Sequence, residues 1–135
     1  MADTANLPLA TAVKAAQGWD EMTRQLMLAG KYLQPMPTAL QIPENHVSGC
    51  QSEVWLAACP QTPGHFVAYS SAKIIRGVLA VLLEKAHSLE SQQLAQFDFA
   101  NYLAELGISR QISQSRADGV AQVVKTLHAL AGTAA

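Results

Sequence analysis

Residues 52–86 read SEVWLAACPQTPGHFVAYSSAKIIRGVLAVLLEKA, and two hydrophobic periods meet inside them. In the first half Val54, Leu56 and Ala58 alternate with Glu53, Trp55 and Ala57, the two-residue period of a strand with one buried face. CPQTPG at 59–64 supplies turn chemistry and HFVAY at 65–69 is rich in strand formers, so this half predicts a β-hairpin. The period then lengthens. Ile74, Ile75, Val78, Leu79, Val81, Leu82 and Leu83 nearly encircle a helix predicted over Ala72 to Ala86, with Ser70 or Ser71 as its cap. A helix apolar on so many sides has to be buried, and it is expected to cross the sheet as the spine of the domain.

Upstream, Trp19, Met22, Leu26 and Ala29 recur at spacings of three, four and three, which predicts an amphipathic helix between Val13 and Ala29 with Gly30 as a left-handed stop. QPMPTALQIPENH at 34–46 carries three prolines and is expected to be a surface connection without regular structure. Downstream, helical stretches are expected at Leu89–Gln96 and Phe99–Leu106, the second stopped by Gly107. A terminal helix follows, with Ser113 as N-cap and Val120, Val123, Val124, Leu127 and Leu130 along one face. Helix, then strands, then helices predict an α+β fold: one compact domain over 1–135, helices packed around a small antiparallel sheet. Its core is expected over about 12–130, with frayed ends at 1–8 and 131–135.

The chain has 135 residues, 50% hydrophobic and 14% charged, enough for a single core that buries roughly two thirds of the unfolded surface. Its net charge of −1 and scattered Lys and Arg leave no electrostatic footprint for nucleic acid or an anionic membrane, so proteins or small molecules are the expected partners. The longest apolar run, Val78 to Leu83, falls far short of the roughly 20 residues that span a bilayer. With no basic segment leading into an apolar one at the N-terminus, a cytoplasmic protein is expected.

NHVSGCQSEVWL at 45–56 sets Cys50 behind Gly49 and before the polar pair Gln51 and Ser52. A Gly there leaves room for a reacting group to approach the sulfur. Residue type alone leaves two readings open, an accessible thiolate nucleophile or an inert buried thiol. Cys59, before Pro60, fits the inert reading better. If one strand separates the two cysteines they lie about 30 Å apart, too far for a disulfide, so both are expected as thiols. His46, Cys50, Cys59 and His65 offer four metal ligands, but the cysteines are nine positions apart where zinc sites pair ligands two to four apart. Two cysteines are also too few for an iron–sulfur cluster held by the protein alone. Hydrolysis by Cys50 with His46 or His65 as base is chemically feasible, although no spacing demands it. Arg116, in the first turn of the last helix, opposes the helix dipole and points to anion contact or a salt bridge.

Three segments together, HVSGCQSEVWL, SSAKIIRGVLAVLL and LGISRQISQSRADGV, resemble the SufE and CsdE family of sulfur-acceptor proteins, and the opening WDEMTRQLMLAGKYLQPMP is similar to that family's first helix and proline-rich exit. The resemblance runs from about Trp19 to Leu130 and rests on V-x-G-C-x-S-x-V-W at Val47–Trp55, I-x-R-G at Ile74–Gly77 and S-R-x-x-G at Ser115–Gly119. It implies an α+β fold of the kind also seen in iron–sulfur scaffold proteins. It also implies that Cys50 accepts persulfide sulfur from a cysteine desulfurase, stimulates that enzyme and passes sulfur to an iron–sulfur assembly scaffold or another acceptor. The protein would be a carrier and activator rather than an independent enzyme. Pyridoxal phosphate would belong to the desulfurase, and no cofactor or metal to this chain. Gly49, Gln51, Ser52 and Arg116 would shape the loop and its docking. The loop, roughly His46 to Ser52, is expected to shelter the sulfur and swing outward on docking.

One departure stands out: where the family usually reads D-S-D-A this chain has Tyr69, Ser70, Ser71 and Ala72, so both carboxylates are missing. That leans toward a sibling carrier feeding a different sulfur pathway. From another class, the rivals are a zinc-binding interaction module using His46 and His65, and a thiol hydrolase.

Overall fold

The computed structural model describes residues 7–47, 53–59, 62, 64–110 and 112–134. Among them are six α-helices, α1 (Pro8–Ala15), α2 (Gly18–Gly30), α3 (Lys73–His87), α4 (Ser91–Gln96), α5 (Phe99–Glu105) and α6 (Gln114–Ala134), and two strands, β1 (Val54–Ala58) and β2 (Phe66–Ser70). The fold is α+β, with the two strands paired antiparallel from Val54↔Ser70 to Ala58↔Phe66.

The encircled helix is the spine that its sequence predicts. α3 buries Ile75, Val78, Leu79, Val81, Leu82 and Leu83 and packs against α1, α2 and β2. Val54, Leu56, Phe66 and Ala68 face it in the main core, and α6 closes the other side against β1 and α4 with Val123, Leu127 and Ala131. The opposite face of the hairpin has its own small cluster of Met36, Ala57 and Val67, with Leu40, Trp55, Cys59 and Tyr69 half-buried around it. Met36 and Leu40 come from the proline-rich connection, which forms two short 3₁₀ turns, Thr38–Leu40 and Pro43–Asn45, where no regular structure was expected. Each turn uses a proline where its missing N–H costs least.

The single first helix expected from the sequence is two helices. The chain breaks at Ala16 and Gln17, and Gly18 takes φ +84°, a left-handed conformation that suits glycine. Gly30 is not a left-handed stop: it is the last residue of α2, and the cap that follows, Lys31, is right-handed. Its role is contact, because a Cβ there would press on Cβ of Arg76 and N of Gly77, both at 3.2 Å. Trp19 shares the apolar period but is 61% exposed, whereas Met22, Leu26 and Ala29 are buried. On the hairpin, Ala57 is buried and Ala58 exposed, the reverse of the simple alternation, because the proline-rich connection covers the second face. Gly107, at φ +86°, does end α5 as expected.

The core reaches beyond the span expected for it. Leu7 and Ala10 are buried at the N-terminal side, and α6 runs to Ala134 with Ala131 fully buried. α1 has no side-chain cap of its own, since Leu7 stands at the N-cap. Instead the Glu84 carboxylate of α3 accepts the N–H groups of Leu9 (2.8 Å) and Ala10 (3.1 Å) and so clasps α1 to the spine. No helix among the described residues is long and apolar enough to cross a membrane.

Candidate functional site

β1 carries a second neighbour on the edge away from β2. His46 bridges Trp55 in antiparallel fashion, and the Val47 N–H donates to the Val54 carbonyl at 2.8 Å. This register leaves residues 48–53 to join Val47 to Val54, and Cys50 and Gln51 are the middle two of those six in the sequence. Gly49, Cys50, Gln51 and Ser52 themselves lie outside the described residues. The stem, however, is described: at the start of the segment expected to move, His46 is bridged to Trp55 and Val47 is buried at 4% exposure.

The same register aligns side chains across the outer face of the sheet. The His46 ring meets Trp55 edge-on at 5.4 Å, Trp55 stacks on Tyr69 at 6.2 Å, and the Arg76 guanidinium lies over Tyr69 at 5.7 Å. Among the described residues, Arg76 Nε is buried without a hydrogen-bond partner. This row was not anticipated from the sequence. Its signal was the even spacing that puts residues 55 and 57 on one face of β1, with Tyr69 directly opposite Trp55. Trp55 does pack on the hairpin as a large apolar ring favours.

The two serines at the start of α3 differ in role. Ser70 is fully buried and its Oγ accepts the Ala72 N–H at 3.2 Å, while Ser71 is exposed. Ala72, not a serine, occupies the N-cap position itself. At the far end, Ser113 meets its expectation: its Oγ accepts the Arg116 N–H at 3.3 Å. Arg116 is half-buried in the first turn of α6, the helix that packs on β1, and its guanidinium makes no ion pair among the described residues.

The proposed histidine ligands do not converge. His46 is level with Trp55, whereas His65 is level with Cys59, whose N–H it accepts at 2.9 Å, and four strand residues span about 13 Å. His65 is instead stacked on His87 at 4.3 Å, and the Phe66 N–H donates to His87 Nε2 at 3.0 Å. Burial, with His65 alongside, lowers the His87 pKa to about 4, which keeps the ring neutral and able to accept that bond. Cys59 is half-buried in the outer cluster.

The described geometry therefore comprises a stem in which Val47 pairs with Val54 and a cation-capped aromatic row that starts at His46 of that stem. A family model described as SufE, Fe–S metabolism associated domain, matches residues 8–131, from the first residue of α1 to the buried Ala131 of α6. The chain belongs to the SufE family and, with it, to iron–sulfur metabolism.

Proposed function

We propose that the protein is a persulfide carrier: Cys50 takes sulfane sulfur from a cysteine desulfurase, stimulates that enzyme by emptying its active-site cysteine, and passes the sulfur on for iron–sulfur cluster assembly. The match over residues 8–131 carries this reading, because it spans the cysteine and both motifs downstream of it.

The chemistry balances without an external oxidant. The Cys50 thiol gives up its proton, and the thiolate attacks the outer sulfur of the donor's persulfide. The donor's S–S bond breaks, its cysteine leaves as thiolate and recovers a proton, and Cys50 holds the new S–S bond. Such an exchange is governed by thiolate fraction and access. A pinned stem supports it. Cys50 is three residues from Val47, so covalent geometry bounds its reach from the fixed sheet at about 11 Å.

The expected partners are therefore the desulfurase, which holds the pyridoxal phosphate, and an assembly scaffold or other sulfur acceptor. Gly49, Gln51 and Ser52 would set the loop's geometry and Arg116 its docking. Absence of both carboxylates at Tyr69 and Ser71 favours a sibling carrier for another sulfur route as the second reading. The test is the rate at which a desulfurase releases alanine from cysteine. Wild-type protein should raise it and Cys50→Ser should not; equal stimulation by both would refute the role of Cys50.

A further inference from the structure

A groove of about 500 Å³ runs between α2 and the first turn of α3, and its charge is one-sided. Arg24, Lys31, Lys73 and Arg76 line it against a single acid, Asp20, although the whole chain carries −1. Arg24 leans toward Glu21 at 3.8 Å, but Lys31, Lys73 and Arg76 form no ion pair among the described residues. The lining also includes Met27 and Leu28, at 39% and 38% exposure. Cations around exposed apolar side chains suit a partner segment that carries carboxylates beside an apolar residue.

The groove is close to the sulfur loop by register. Ser70 pairs with Val54, whose other neighbour is Val47, so the loop stem and the start of α3 share one end of the sheet. Arg76 is linked to His46 of that stem through Tyr69 and Trp55. We propose that this groove docks an acidic, apolar-bearing segment of the sulfur donor, holding the donor beside the Cys50 loop. The proposal rests on the carrier function and adds where the donor binds. Met27 and Leu28, exposed in the lining, favour a segment that carries an apolar residue over a lone phosphate.

Binding is measured by titration calorimetry with the desulfurase in a Cys50→Ser background, which separates docking from sulfur chemistry. Lys31→Glu with Lys73→Glu, both exposed positions, should weaken binding about tenfold at low salt, and the deficit should shrink as salt screens it. Asp20→Lys should tighten it. Unchanged affinity in the double variant overturns the proposal. So does an equal loss in Lys14→Glu with Lys125→Glu, exposed cations outside the groove, since net charge alone would then explain it. Competition by inorganic phosphate at constant ionic strength would mark a small-anion site and overturn it too. Sulfur uptake by wild-type Cys50, read separately by mass, reports on the carrier function independently.

Discussion

His87 is tied to the sheet as a neutral ring, with its Nε2 accepting the Phe66 N–H and its face against His65. Its pKa falls from 6.5 to about 4 in the folded chain, so the unfolded chain binds the proton more readily between those values. The contribution of His87 to stability is therefore full above pH 6.5 and declines as pH falls toward 4. The ring is only half-buried, and after discounting for solvent screening the loss is on the order of 1 kcal/mol. Urea midpoints at pH 7 and pH 4.5 should differ less in His87→Gln than in wild type; an identical difference would show that another group titrates. Glu84 acts at the same scale. Replacing it with Ala removes the acceptor of two α1 N–H groups and should cost about 2 kcal/mol in urea unfolding at pH 7. An unchanged midpoint would mean that α1 docks without the clasp.

Among the elements, the crossing of α2 and α3 is the tightest joint. A Cβ on Gly77 would collide with the carbonyl of Leu26, and backbone has no rotamer by which to yield. Gly77→Ala should destabilise the protein by about 1–3 kcal/mol, while Gly132→Ala, exposed in the last turn of α6 with open space around it, should leave stability unchanged or raise it by no more than about 0.5 kcal/mol. Thermal melts of the two variants decide it: similar shifts would deny the contact at Gly77. The same joint shows what periodicity reveals. α3 was legible because seven apolar residues on nearly every side leave burial as the one outcome. Gly18 and Gly30 were not, because a glycine letter serves a left-handed turn and a close helix contact alike, and only the partner helix tells them apart. The hairpin's second buried face was hidden for a similar reason. Its cover, Met36 and Leu40, arrives from a proline-rich stretch that has no period of its own.

For the whole molecule, the sheet joins the pieces of the site. One register sets the loop stem beside β1, β1 beside β2, and the start of α3 next to both. The position of Cys50 behind a glycine could be read from the sequence, and so could the helix start at Ser113. The row from His46 through Trp55 and Tyr69 to Arg76 could not, since it joins four segments whose alignment depends on strand register. The four-residue offset between His46 and His65 likewise follows from the register and separates two histidines that composition alone would pair. Cys59, on the outer face four positions from Trp55, belongs to that cluster. The most direct measurement is the intact mass of the protein after anaerobic incubation with desulfurase and cysteine. The carrier account predicts a gain of about 32 Da, one sulfur, that reductant removes, that Cys59→Ser retains and that Cys50→Ser abolishes. A gain that survives Cys50→Ser, or none in the wild type, would contradict it.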